Sequence, residues 1–293
     1  MDFLLTFDVE SFSIPKNRCD TETAYRVYKE GIPRLLDLCA KHDIPATFFF
    51  TGEVAAIVPE ALDLVKDHNH EIGCHGYSHE VDRALDLLNY DEQLLEISQA
   101  KTLLESVAGT VHAFRAPALR INEDTIKVLE KTGFSSDSSI CPQRFDGPFT
   151  FGSKKKLKWL ISPRKPFFLN QSRSILEIPL SALFFPYIGT TMRISPTVTR
   201  MLEKYLYFES RYSEKPIVFL FHPNECLDFN GYVVPTRRTP NIFQHLFSDR
   251  IRQQLKLRRL GLAAIHELDK IIVNAKSYGY EFCAIRNYRT KWK

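Results

Sequence analysis

The sequence predicts one α/β chain built as a (β/α) barrel. Short apolar runs alternate with amphipathic helical stretches from end to end, giving roughly seven or eight βα units. Composition does not break anywhere along the 293 residues, 44% hydrophobic and 25% charged, so a single domain over 1–293 is expected. The residues that follow the strand-like runs are repeatedly Asp, Glu, His or Arg, as suits the carboxyl face of a parallel barrel. The alternative is an open doubly wound sheet. No Gly-rich phosphate loop follows the first run, which disfavours the dinucleotide-binding form of that fold.

The elements follow in order. Phe3-Leu4-Leu5-Thr6-Phe7 reads as a buried parallel strand delivering Asp8 and Glu10 at its end. Residues 21–42 carry helical spacing through Tyr25, Tyr28, Ile32, Leu35 and Leu36, with Gly31-Ile32-Pro33 as an interruption or kink. Ala46 to Phe50 is the next strand, and a helix from about Glu53 to Asp67 precedes the strand leading into His75. Tyr90 to Val107 is an amphipathic helix with Asp91 and Glu92 at the positive end of its dipole. Val111 to Phe114 is a short strand. Asn122 caps a helix that Gly133 stops, and Phe134 leads on to Asp137. A long aromatic and basic insertion occupies about 140–171. Ile175 to Pro179 resumes strand character, Val198 to Phe208 is helical, and Ile217 to Phe221 is a strand ending at His222. Leu260 to Lys276 is predicted as the last helix and Tyr280 to Ile285 as the closing strand.

Bulk properties exclude some classes. A net charge of +4 is too small for a nucleic-acid footprint, so no nucleic-acid partner is expected. Basic clusters occur at Lys154–Lys158 with Arg164 and Lys165, and again at Arg250–Arg259; solvated faces explain both. The six cysteines include no CxxC pair and read as reduced, mostly buried thiols. Polar Thr6, Asp8 and Glu10 interrupt the first apolar run, so no secretory signal is read there, and no window has the length of a membrane span. A cytoplasmic enzyme is the expectation, with peripheral membrane contact and a homo-oligomer both left open.

The chemistry gathers at the strand ends. His75 and His79, at i and i+4, can project from one face of a helical turn and share a metal ion. Two histidines with one carboxylate are a common catalytic zinc set, and one acid of Asp8-Val9-Glu10 completes it. The other acid is then available to take a proton from the attacking water. Taken singly, the histidines could be solvated and the acids could open a loop; their shared barrel face favours a site. Arg115 can pair with Asp8 and hold it ionised. His222 is either a satisfied core histidine or the acid for a leaving amine, with Asp137 a candidate to hold its other ring nitrogen. The backbone N–H of Ala118, behind the rigid Pro117, is placed to stabilise an oxyanion. Ser138 and Glu225, from the segments of Asp137 and His222, are expected with Pro117 and Ala118 on the substrate side.

Thr6-Phe7-Asp8-Val9-Glu10, His75-Gly76-Tyr77-Ser78-His79, Arg115-Ala116-Pro117, Asp137-Ser138-Ser139 and Leu220-Phe221-His222-Pro223 occur in this order. Together they resemble the five motifs of the polysaccharide deacetylase family, the NodB-homology domains of carbohydrate esterase family 4, across roughly residues 3–285. The Asp-Val-Glu and Phe-His-Pro-x-Glu forms look closest to the branch linked to bacterial exopolysaccharide biosynthesis. The resemblance implies a distorted (β/α)7 barrel. It implies a divalent metal, usually zinc and alternatively cobalt, nickel or manganese, and hydrolysis of an N-acetyl group from an amino sugar. Asp8 matches the family's base, His75 and His79 its metal ligands, Arg115 the residue orienting the base, and His222 its acid. The chain departs from the pattern in three places. Val9 stands where a second aspartate is usual, which passes the metal role to Glu10; Ala118 replaces an aromatic residue; and Ile140-Cys141 replaces an Asp-Trp pair. Hydrolysis of cyclic amides such as allantoin, and carbohydrate binding without catalysis, are the alternatives.

Overall fold

The computed structural model describes residues 1–80, 82–143, 161–229, 236 and 251–292. Residues 144–160 of the expected insertion lie outside this set, as do Lys154–Lys158 and Arg250 of the basic clusters.

The chain opens with β1 (Asp2–Val9), a two-stranded ribbon of β2 (Phe12–Ser13) and β3 (Arg18–Cys19), and α1 (Thr21–Arg26). A π-turn at Val27–Gly31 joins α1 to α2 (Ile32–His42), so the expected interruption before Pro33 is a local widening of one continuous helical run. The alternation proceeds through β4 (Thr47–Phe50), α3 (Gly52–Ile57), α4 (Glu60–Asp67), β5 (Glu71–Cys74), α5 (Tyr90–Ala108), β6 (Ala113–Phe114), α6 (Glu123–Lys131) and β7 (Ser136–Asp137). Next come β8 (Phe167–Phe168), β9 (Leu176–Glu177), the hairpin of β10 (Ala182–Leu183) and β11 (Phe185–Pro186), α7 (Gly189–Ile194), α8 (Pro196–Ser213) and β12 (Ile217–Phe221). The chain closes with α9 (Arg252–Lys256), α10 (Leu262–Ser277), β13 (Glu281–Phe282) and α11 (Ile285–Lys291). The predicted closing strand is thus only two residues long, and it yields to a helix that buries Ile285 and Tyr288.

The main sheet runs β12-β1-β4-β5-β6-β7-β9, all parallel, with β8 antiparallel on β9 and β13 beside the start of β1. Past β9 the backbone turns back to β12. Ser181 N donates to Val218 O at 3.1 Å, and an isolated bridge joins Ile188 to Leu220. These contacts curl the sheet into the distorted barrel expected from the sequence.

Strand parity decides what each residue faces. Leu4, Phe49, Ala113, Leu176, Ile178, Val218 and Leu220 form one cluster, the barrel interior. Phe3, Leu5, Phe7, Val9, Phe48, Phe50 and Phe114 belong to the larger cluster under the helices. Because side chains alternate along a strand, counting from Leu4 sends Thr6, Asp8 and then Glu10 to the interior side. The same count from Ala113 sends Arg115 inward, and from Leu220 sends His222 inward. Val9 falls on the other side, into the helix layer, where an acid would lack both water and a partner.

Candidate active site

Asp8 and Arg115 form the buried centre of the site. Arg115 is fully buried; its Nη1 donates to Asp8 Oδ1 at 2.8 Å and to Thr6 Oγ1 at 2.9 Å. Its Nε and Nη2 reach the carbonyl and hydroxyl of Ser138 at 3.0 and 2.9 Å, and its guanidinium lies 4.4 Å from the Phe49 ring centroid. Every face of the cation is therefore engaged, which a buried guanidinium requires. Ser138 is fully buried and also donates to Ile178 O at 2.8 Å. It positions Arg115 and is not on the substrate side where the sequence reading put it.

His75 follows β5 in irregular backbone, with Gly76 at φ +66°, rather than on the helical turn predicted from the i, i+4 spacing. A loop brings the two imidazoles together just as well, with ring centroids 5.9 Å apart. Nδ1 of His75 lies 2.7 Å from Arg115 O. A carbonyl can only accept, so Nδ1 carries the proton and Nε2 presents a lone pair. Burial lowers the His75 pKa, against the pull of Asp8, whose Oδ2 stands 3.7 Å from Nε2.

Glu10 is 5% exposed. Asn224 Nδ2 donates to its Oε1 at 3.3 Å and to Phe12 O at 2.8 Å. The Glu10 Oε2 atom lies 3.0 Å from His79 Nε2, ion-pair distance. Burial opposes ionisation of Glu10, but His79 and then His222 and His75 outweigh it and hold the carboxyl far below its usual range. Ligand atoms from Glu10, His75 and His79 all lie within 4.8 Å of one another, and theirs is the group of this kind found among the described residues. An ionised buried oxygen, a neutral imidazole with its lone pair turned inward and a second imidazole suit a divalent cation bound by N and O donors.

His222 flanks this cluster with its side chain one-fifth exposed. Glu225 Oε1 faces its Nδ1 at 3.8 Å, ion-pair distance, and is itself gripped by Arg193 Nη2 at 2.7 Å and Thr190 Oγ1 at 2.9 Å. Burial works against the imidazolium, but Glu225, with Glu10 and Asp8, outweighs it and raises the His222 pKa to about 9. Glu225 feels burial in the opposite sense, yet Arg193 and His222 bring it down to about 2. Gly189 makes room for this arrangement, since a Cβ there would sit 2.0 Å from Glu225 Oε2. Glu225 is 1% exposed, so it holds His222 and is not at the substrate surface where the sequence reading put it.

Asp137 is not the partner of His222. Its neighbours Ser136 and Ser138 point inward, and parity turns Asp137 to the other side of the sheet, in register with Phe114 and Glu177. Ser139 Oγ donates to Asp137 Oδ1 at 2.5 Å and accepts from Ala116 N at 2.8 Å; Glu177 Oε1 accepts from Ile140 N at 3.0 Å. Asp137 Oδ2 and Glu177 Oε2 are buried with no donor, which a proton held between the two carboxyls resolves. Burial raises both pKa values, and the facing Asp137 raises Glu177 further.

Pro117 is buried, and a Cβ on Gly76 would come within 3.1 Å of its ring, so it closes the His75 loop. Ala118 is exposed at φ +53°, leaving its surface free of a side-chain wall. Glu177, Asn224 and Arg193 escaped the sequence reading. Asn224 had a readable signal, since it sits two residues after His222; Arg193 and Glu177 had none until the fold brought them in.

Fold and site define a parallel α/β barrel with a two-histidine, one-carboxylate cluster at the carboxyl ends of its strands. Residues 3–136 match the family model described as polysaccharide deacetylase, so this segment is similar to that family. A peptidoglycan deacetylase of Helicobacter pylori is 30% identical over 154 residues, 51% of this chain and 52% of that protein. The chain thus spans about half the length of this curated relative. A probable polysaccharide deacetylase from Pseudomonas aeruginosa PAO1 superposes with a TM-score of 0.62 at 15% identity, covering 99% of this chain and 90% of that one. Puue allantoinase superposes equally, at 0.62 and 16% identity over 99% of this chain and 89% of that one, so these two likenesses establish the fold alone.

Proposed function

We propose that the chain is a metal-dependent amidohydrolase that removes acetyl from an N-acetylated amino-sugar polymer, oligosaccharide or lipid-linked sugar. The observation that carries this reading is the Glu10–His75–His79 cluster, within 4.8 Å, beside an Asp8 that Arg115 holds at 2.8 Å. The named activity of the Helicobacter pylori relative supplies the substrate class, and the Asp-Val-Glu motif points to an exopolysaccharide intermediate.

A divalent cation, zinc by the character of its donors, would polarise the acetamide carbonyl and make bound water more acidic. Asp8, oriented by Arg115, takes a proton as water adds to the carbonyl carbon. The Ala118 N–H donates to the developing oxyanion. His222 faces Glu225 through Nδ1 and delivers the proton on its other nitrogen to the leaving amine as the C–N bond breaks. The products are acetate and a free amino sugar.

The test is acetate release from N-acetylglucosamine oligomers, alongside metal content by mass spectrometry. Chelation is expected to remove both, zinc to restore both, and His75→Ala to lose both. Full acetate release by the chelated protein overturns the metal assignment. Turnover of small ureides with none of acetylated sugars overturns the substrate assignment.

A further inference from the structure

Away from the strand ends, α8 carries a surface that the hydrolase reading does not use. Met201, Tyr205, Phe208 and Tyr212 recur on successive turns of its outer side, and Met201, Phe208 and Tyr212 are 68%, 63% and 76% exposed. At helical spacing these four form one stripe. Beside it run Arg200, Lys204 and Arg211, all exposed and none with an ion-pair partner among the described residues. The acids of α8 are taken up elsewhere: Glu203 is buried against Tyr187 at 2.7 Å, and Glu209 pairs with Arg164 and Lys215.

The β10–β11 hairpin extends the stripe. Phe184 and Phe185 are 75% and 56% exposed, and Phe184 takes φ +58°, a conformation that a bulky residue rarely adopts. Arg164 ties hairpin to helix: it donates to Ala182 O at 2.6 Å and to Glu209 Oε1 at 2.7 Å, and lies 5.9 Å from the Tyr205 ring centroid.

We propose that the α8 stripe and the Phe184–Phe185 hairpin tip dock the protein onto an anionic membrane surface. The chemistry selects this occupant. Phe184, Phe185 and Met201 carry no polar atom to reward a specific polar partner, whereas tyrosines suit the boundary between headgroups and acyl chains. The row of like-signed cations beside apolar side chains is the pattern of helices that lie in the membrane interface. A second copy of the chain fits less well, because pairing this face with itself would desolvate Arg200, Lys204 and Arg211, which have no ion-pair partner among the described residues. No described helix is long and apolar enough to cross a membrane, so the contact is peripheral. The inference stands whether or not the amidohydrolase assignment holds.

The test is co-sedimentation of the full chain with vesicles of phosphatidylcholine alone and of phosphatidylcholine mixed equally with phosphatidylglycerol. Binding is expected to the mixed vesicles and to fall with added salt. Each cation at an anionic surface is worth roughly fivefold in affinity, so Arg200→Ser with Lys204→Ser loses about 25-fold. Phe184→Ser with Phe208→Ser loses about tenfold or more, since both withdraw apolar surface from the bilayer. Leu95→Ser, at an exposed site on α5, leaves binding unchanged. Failure of the wild-type chain to bind the mixed vesicles, or equal loss in Leu95→Ser, overturns the proposal. So does a stable dimer in sedimentation equilibrium that Phe208→Ser disperses, which would assign the face to self-association.

Discussion

Arg115 Nη1 meets Asp8 Oδ1 at 2.8 Å with both side chains buried, and the carbonyl of the same arginine fixes the tautomer of His75. One residue thus orders both the proposed base and a metal ligand. Arg115→Ala leaves Asp8 as an uncompensated buried charge and is expected to cost about 3–5 kcal/mol of stability. Asp8→Asn keeps the shape and is expected to lower kcat by about 10²–10⁴ with metal content unchanged. Denaturant unfolding and metal analysis distinguish the two.

Glu10 and Asp8 sit two residues apart on one face, but Glu10 is the carboxylate grouped with both histidines. Glu10→Gln is expected to weaken zinc binding at least about tenfold, while Asp8→Asn leaves it near wild type. Competition with a chromogenic chelator measures both. Equal losses would make Asp8 the third ligand.

His222 and Glu225 set opposite pH limits on the chelated protein. His222 is raised to about 9, so its contribution to stability is complete below its ordinary value of 6.5 and disappears as pH rises through about 9. Glu225 is lowered to about 2, so its contribution is complete above 4.5 and disappears as pH falls through about 2. In Glu225→Gln the His222 pKa falls back toward 6.5, so the alkaline loss of stability is expected to be smaller and to end at lower pH than in wild type, as read by thermal unfolding across pH. Gly189→Ala, which drives a Cβ against Glu225 and Phe221, should reproduce that shift and destabilise by about 1–3 kcal/mol.

At the Asp137–Glu177 pair burial dominates, outweighing the pull of Arg115 on Asp137, and both pKa values are raised. Its stabilising effect is therefore present at low pH and is lost as pH rises through the raised values. Glu177→Gln places an amide donor where the shared proton lies. The variant is expected to fold, and its melting temperature should fall less than that of wild type between neutral and alkaline pH. An unchanged alkaline slope would show that the carboxyls do not share a proton.

Much of this site was legible because a short parallel strand leaves a local signature. An apolar run buried on both faces, followed at once by a titratable residue, marked Asp8, Glu10, His75, Arg115 and His222 before any contact was known. Asp137 satisfied the same rule and misled, since standing at a strand end does not say which face a side chain takes. Its outward turn shows only in its register with Phe114 and Glu177, which the tertiary structure supplies. The partner of His222 was written three residues further on, but only burial and Arg193 distinguish Glu225 from a surface acid.

The sequence by itself determined the alternating βα order, the residues at the strand ends and a resemblance to polysaccharide deacetylases, because periodicity and spacing are local properties of the chain. Only the tertiary structure decided which carboxylates meet which cations. Arg193 reaches Glu225 across 32 residues and Arg115 reaches Asp8 across 107, distances in sequence that no local pattern encodes. Curling of the sheet closes those separations, and burial turns the resulting ion pairs into a preorganised site.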